Sequence, residues 1–247
     1  MQIQGKVVLI TGASSGIGEA TAKHLTARGA CVALAARSVD ALRALSATLP
    51  DSFVVPTDMT DAVAVRRMVE ATWEHYGRLD VLINNAGRGG GGPIAGVPLD
   101  DVRALVELNL YGPIVAMHAA IPYMRAQGSG VIVNIGSSTT KMTLPGVGIY
   151  SGTKLFLHQI SLTARAELAR DNIVVSIVHP YLTATNFGKN ARHRDHLDGV
   201  SDAGADAGAR QLPPPDPPEK VAVAILRAIE TGTAEIAMVP GYDRAGV

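Results

Sequence analysis

The sequence predicts an α/β fold, a doubly wound parallel sheet of seven strands with helices on both faces. Three observations carry this. Short β-branched apolar runs alternate with amphipathic helical stretches from one end of the 247 residues to the other; such alternation implies a parallel sheet. The first run, Val7 to Ile10, is apolar throughout, as a strand buried on both faces must be. No internal repeat or long linker divides the chain, so residues 1–247 read as a single domain.

The elements follow in order. The first strand ends in Thr11-Gly12-Ala13-Ser14-Ser15-Gly16-Ile17-Gly18, and a helix runs from about Ile17 to Arg28. Strand, glycine-rich turn and helix N-terminus form a cradle for a pyrophosphate, because the helix presents unpaired N–H groups and its positive dipole end. Gly12 allows the tight turn, Gly16 the approach of backbone to phosphate, and Gly18 close helix packing. Cys31 to Ala36 is the second strand, with a helix over 38–48 behind it; Phe53 to Pro56 is the third. Thr60 or Asp61 caps a helix that Gly77 closes after Tyr76. Leu79 to Ile83 leads into Asn84-Asn85-Ala86-Gly87. A long helical stretch over 99–126 carries Pro113 and Pro122, which should kink or interrupt it. Strands at 131–135, 173–178 and 235–239 alternate with helices at 149–170 and 219–230.

Two segments break the pattern. Arg88-Gly-Gly-Gly-Gly-Pro93 reads as a mobile loop at the mouth of a site. Residues 186–218, rich in Asp, Ala, Gly and then Pro, read as a substrate lid or flexible insertion.

Composition narrows the function. Net charge is zero, with a sequence pI of about 7.1, which gives no reason to expect nucleic acid or an anionic membrane as partner. A single cysteine, Cys31, rules out an intrachain disulfide and opens a strand as a core residue would. The first six residues lack the apolar stretch of a signal peptide, and no apolar run approaches the roughly 20 residues of a membrane span. A cytoplasmic protein is the expectation. His193-Arg-Asp-His196 lies in the Gly/Ala/Asp-rich segment with no cysteine pair nearby and reads as part of a solvated lid, so no metal is expected.

The chemistry concentrates at strand ends, where ligands bind in doubly wound sheets. Tyr150 and Lys154 stand four apart on one face of a helix. An ammonium beside a phenol favours the phenolate and brings it towards a working acid–base range. Ser137 and Ser138 follow the fifth strand, where either hydroxyl can donate to a carbonyl. Asn109 is an unfavourable residue for a helix interior, so it needs a partner or a local distortion.

Taken jointly, Thr11-Gly12-x-x-x-Gly16-x-Gly18, Asp58, Asn84-Asn85-Ala86-Gly87, Asn109, Ser137, Tyr150-x-x-x-Lys154 and Pro180 resemble a short-chain dehydrogenase/reductase over essentially the whole chain. The resemblance implies a Rossmann fold and NAD(P)-dependent interconversion of a carbonyl and an alcohol. It implies catalytic roles for Asn109, Ser137, Tyr150 and Lys154. Ser137 is preferred because it precedes Tyr150 by thirteen residues. Lys154 would lower the Tyr150 pKa and bind ribose, and Asn109 would hold a water linking Lys154 to solvent. Cofactor contacts would come from Gly12, Ser14, Ser15, Gly16, Ile17 and Gly18; from Asp58 and Met59 near adenine; from Asn85, Ala86 and Gly87; and from Pro180, Thr183 and Thr185. At the end of the second strand an acidic residue would accept from a ribose 2′-OH; Ala36 stands there, followed by Arg37 and Ser38. A guanidinium suits a 2′-phosphate, so NADP(H) is favoured over NAD(H).

The chain departs from the family pattern at Gly136, often serine, and at Tyr181, often glycine. Leu144, Val147, Tyr181, Leu182 and Phe187 suggest an apolar substrate wall, hence a hydrophobic ketone, aldehyde or secondary alcohol. The rivals are a 3-oxoacyl-thioester reductase, for which Lys189, Arg192 and Arg194 would meet an acyl carrier, an NAD-dependent alcohol dehydrogenase and, more remotely, a non-catalytic NADP-binding sensor. The family expectation is a homodimer or homotetramer formed through the helices at 99–126 and 149–170.

Overall fold

In the computed structural model, residues 1–185, 187 and 213–238 are described. Seven strands form one all-parallel sheet: β1 (Val7–Thr11), β2 (Cys31–Ala36), β3 (Ser52–Pro56), β4 (Val81–Asn84), β5 (Gly130–Ile135), β6 (Ile173–His179) and β7 (Glu235–Ala237). Their spatial order is β3-β2-β1-β4-β5-β6-β7. The chain reverses its direction of growth between β1 and β4, so the crevice opens there, beyond the carboxyl ends of both strands.

The continuous apolar strands are explained by two cores of opposite parity. Val8, Ile10, Val32, Leu34, Val81, Ile83, Val131 and Val133 point to one face. There they meet Leu25 of α1 (Gly16–Thr26), Leu42 of α2 (Val39–Ser46) and Ile225 of α7 (Pro218–Thr231). Leu9, Ala33, Leu82, Ile132 and Val175 point to the other. These pack on Val65 and Met68 of α3 (Ala62–Tyr76), Met117 and Met124 of α5 (Gly112–Ala126) and Leu168 of α6 (Gly148–Leu168). Each fully buried Leu, Ile or Val contributes roughly 1.5–3 kcal/mol.

Local chemistry sets the element ends. Asp61, rather than Thr60, caps α3 by accepting from Val63 N and Ala64 N, and Gly77 ends it at φ +70°. The stretch 99–126 is helical throughout, but in two registers. α4 (Leu99–Val106) passes into a π-helical turn over Glu107–Tyr111 before α5. The Gly112 N–H reaches back five residues to the Glu107 carbonyl. Pro113 has no N–H to offer the Asn109 carbonyl, so a widened turn suits the sequence. Pro122, by contrast, sits inside α5 without interrupting it, a correction to the expected break. By length and composition alone this 28-residue helical rod could cross a membrane. Its Leu105, Ala116, Met117, Ala120 and Met124 are nonetheless buried within the fold.

A buried polar ladder docks α6 on the sheet. Asn84 Nδ2 donates to Asn134 Oδ1 (2.8 Å). Asn134 Nδ2 in turn donates to Ser161 Oγ (2.8 Å), whose hydroxyl donates to the Leu157 carbonyl. Most of 186–218 and Val239 lie outside the described residues, so the expected lid and the end of the last strand are not described. The two ends of that segment are joined where Ala184 N donates to the Asp216 carbonyl (2.9 Å) and Asp216 N to the Leu182 carbonyl (2.8 Å). The glycine loop after β4 is tied down as well: Gly92 N donates to the Gly146 carbonyl (2.8 Å).

Candidate active site

A cleft of about 590 Å³ lies at the carboxyl edge of the sheet, in the size range of small-molecule and cofactor sites. Of the site residues expected from sequence, all but Gly18, Asn109 and Val147 line it. At one end are Ser14, Arg37, Ser38 and Asp58; at the other are Ser137, Leu144, Tyr150, Tyr181 and Phe187.

The glycine turn is built against the end of β4. Gly12 has φ +67°, and a side chain there would stand 2.9 Å from Ala86 Cα. Gly16, at φ +57°, backs onto Thr185. Gly18 is buried behind the turn; a Cβ would strike the Gly12 carbonyl and the Asn85 amide. Asn85 lines the cleft, yet its amide is already committed, donating to the Thr11 (2.8 Å) and Gly12 (3.2 Å) carbonyls. Thr11 Oγ1 accepts from Asn85 N and Ala86 N, both at 3.0 Å. Thr11 is thus a clamp residue whose place in the motif was visible but whose role was not. Ser15, the N-cap of α1, makes no side-chain capping bond. The first N–H groups of that helix therefore face the cleft uncapped, which suits a pyrophosphate.

Asp58 is held by its neighbours. Burial pushes its carboxyl up, but hydrogen bonds from Thr60 N (2.9 Å) and Oγ1 (2.8 Å) and the nearby Arg37 charge outweigh it, leaving a net lowering.

At the catalytic end, burial pushes the Tyr150 phenol above its ordinary value, opposed in part by the hydrogen bond with Ser137. Lys154 does not enter that balance. Its Nζ donates to the Ile135 carbonyl (2.8 Å), and burial lowers its own pKa to about 8. Burial thus dominates the phenol in this arrangement, and the ammonium is hydrogen-bonded to the strand end. Gly87 leaves the room above it, since a Cβ there would lie 3.5 Å from Nζ.

Ser137 Oγ accepts from Thr139 N (3.2 Å) and Thr139 Oγ1 (3.0 Å). With its lone pairs engaged, its proton is what remains to meet the Tyr150 hydroxyl, or a substrate oxygen in its place. Thr139 belongs to a short 3₁₀ segment, Ser138–Lys141, which was not expected from sequence. Asn109 is fully buried in the π turn. Its Oδ1 accepts from Arg88 N (3.1 Å); its Nδ2 donates to the Arg88 carbonyl (3.1 Å) and Thr153 Oγ1 (3.2 Å). The Asn109 side-chain amide thus ties the loop after β4 to α6. Both anticipated explanations for it, a partner and a distortion, are present together.

Phe187 meets Tyr150 edge-on, with ring centroids 5.8 Å apart. With Leu144, Tyr181 and Leu182 it gives this end of the cleft an apolar wall. His179, missed as a support, is fully buried behind Ser137. Its Nδ1 lies 3.3 Å from Ser137 N and 3.2 Å from Ser137 O. A side chain at Gly136 would collide with this ring, which gives the departure at 136 a physical reason. Burial drives the His179 pKa down to about 4.

The comparisons agree with this geometry. The sequence profile of the short chain dehydrogenase family matches residues 6–196. A dehydrogenase/reductase SDR family protein 7-like of Anopheles gambiae is 34% identical over 254 residues, 98% of this chain and 78% of that protein. The glycine betaine reductase ATRR of Emericella nidulans is 33% identical over 96% of this chain, but the chain spans only 19% of its length. Among solved structures, actinorhodin polyketide ketoreductase with NADPH has a TM-score of 0.84 at 28% identity, covering 96% of this chain and 97% of that one. The 3-ketoacyl-(acyl-carrier-protein) reductase of Brucella melitensis with NADH has a TM-score of 0.85, covering 97% and 98%; at 24% identity it speaks for the fold alone. Matched from residue 6 to residue 196 and closed around the Ser137, Tyr150 and Lys154 cluster, this chain belongs to the short-chain dehydrogenase/reductase family of oxidoreductases.

Proposed function

We propose that the protein interconverts an apolar ketone or aldehyde and the corresponding alcohol by hydride transfer with NADP(H). The observation that carries this reading is one cleft with Ser137, Tyr150 and Lys154 at one end and Arg37, Ser14 and Ser38 at the other. A nicotinamide cofactor fits the donor set between them, because the glycines at 12 and 16 leave backbone bare beside the uncapped helix N-terminus. When bound, it supplies or accepts the hydride.

The residues divide the remaining work. In the reductive direction the Tyr150 hydroxyl, protonated at neutral pH, donates its proton to the carbonyl oxygen. Ser137 donates to the same oxygen and stabilises the charge that develops on it. Lys154 carries an ammonium up to about pH 8, facing the space that Gly87 leaves for a ribose hydroxyl. Arg37, exposed at the end of β2, offers a bidentate donor to a 2′-phosphate. Phe187, Leu144 and Tyr181 favour an apolar substituent next to the reacting carbon. Leu99, Tyr111, Leu155 and Phe156 are exposed on α4, the π turn and α6, which supports a homodimer or homotetramer through these helices.

The test is a pair of initial-rate series, NADPH and NADH, against a panel of apolar ketones and aldehydes, with Arg37→Asp beside the parent. The parent should prefer NADPH. Arg37→Asp should raise the KM for NADPH by roughly tenfold or more, with little change for NADH, since one charge-assisted contact is lost. A parent that is faster with NADH would refute the role given to Arg37.

A further inference from the structure

Behind Ser137, on the side away from the cleft, three elements bring together His158 of α6, His179 at the end of β6 and Glu235 at the start of β7. Their ligand atoms all lie within 4.8 Å of one another. His158 Nε2 is 3.4 Å from Glu235 Oε2, and His179 Nε2 is 3.4 Å from Glu235 Oε1. Neither Nε2 has a hydrogen-bond partner. His179 is fully buried, so its ring nitrogen is an unsatisfied polar atom aimed into the cluster. The two rings meet edge to face, 5.1 Å between centroids.

We propose that His158, His179 and Glu235 form a binding site for one zinc-like divalent transition metal, with a fourth position open to water. Ligands at zinc bond lengths in a tetrahedron stand about 3.4 Å from one another; each imidazole is 3.4 Å from a carboxylate oxygen, His158 from Oε2 and His179 from Oε1, so Glu235 must turn slightly to offer one oxygen to both. Two imidazoles and one carboxylate are a donor set that zinc accepts with water in the fourth place. The second shell is present too. His179 Nδ1 faces both Ser137 N–H (3.3 Å), which donates to it in one tautomer, and the Ser137 carbonyl (3.2 Å); metal binding selects the tautomer in which Nδ1 donates to that carbonyl and the Nε2 lone pair is left for the metal. His158 stands one turn beyond Lys154 on α6, on the same side of the helix. A metal here would therefore brace α6, β6 and the Ser137 backbone from behind. His158 and Glu235 keep 18% and 31% of their side-chain surface exposed, which leaves an entry path.

One group competes. Lys141 Nζ lies 3.0 Å from Glu235 Oε1 and is 23% exposed. Its ammonium occupies the carboxylate and repels a second cation, so metal binding must turn it out to solvent. The proposal therefore has opposite expectations for ligands and competitor.

The test is calorimetric titration of the full-length protein, stripped with a chelator, with zinc chloride. The parent should take up one equivalent per chain at this site. His158→Ala and Glu235→Gln should each weaken it by about tenfold or more, whereas Lys141→Gln should tighten it. A His193→Ala/His196→Ala double variant should bind like the parent. The proposal is overturned if the parent takes up no zinc, if uptake follows His193 and His196 instead, or if Lys141→Gln weakens binding as the ligand substitutions do. Lys141→Gln also keeps the test decisive should a ligand substitution prevent folding.

Discussion

Lys154 shows how a single side chain can hold a costly position for function. Its ammonium is buried, with one hydrogen bond to the Ile135 carbonyl. Burial brings its pKa from the ordinary lysine value of 10.5 down to about 8. The unfolded chain therefore holds more protons than the folded one between about pH 8 and 10.5, and in that window folding stability gains as pH rises. Below about pH 8 both states carry the proton and the full burial cost remains. Stability of the parent relative to Lys154→Met should thus increase from pH 8 to 10.5 and stay flat below; urea titrations at several pH values measure it. A difference that does not vary with pH would contradict the buried ammonium. At this scale the sequence picked out Ser137, Tyr150 and Lys154, which share one cleft, but not what they touch. The Tyr-x-x-x-Lys spacing places both side chains on one helix face. It says nothing of the Ile135 carbonyl, which lies on another element and accepts from the ammonium.

Among the elements, the π turn over Glu107–Tyr111 does the positioning. A poor helix former at 109 and a proline at 113 were both legible, and together they pointed to a distortion in the right place. Pro122 carried the same signal and gave no break, because a helix packed along one face by Ala116, Ala120 and Met124 tolerates one missing bond. Asn109 fills both donor and acceptor needs of Arg88 N and O. Asn109→Ala removes that pairing and should cost about 1–3 kcal/mol of stability, together with a fall in kcat as the loop after β4 loosens. Unchanged unfolding in urea would show that the amide bonds carry nothing. His179 and Gly136 were less readable. Each looks like an isolated departure in the sequence, and only the contact between the ring and the glycine makes them one feature.

Over the whole molecule, the alternation of strands and helices was enough for the seven-stranded parallel sheet, because period and parity are properties of the chain alone. Two cores of opposite parity, one per face, follow from the unbroken apolar strands. The cleft also follows, since right-handed crossovers leave a crevice where β1 and β4 diverge. The part that sets the substrate was less accessible. The wall made by Phe187 and Tyr181 depends on how the segment after β6 folds back over Tyr150, and composition there gives little to bury and no period to read. The account therefore stands or falls on Tyr150, where sheet, helix α6 and cleft meet. The most direct measurement is single-turnover reduction of an apolar ketone by NADPH, with Tyr150→Phe beside the parent and cofactor binding followed by fluorescence. Loss of a positioned general acid should lower the chemical step by about 10²–10⁴ while NADPH still binds. Tyr150→Phe turning over at the parent's rate would contradict the assignment of Tyr150 as the acid.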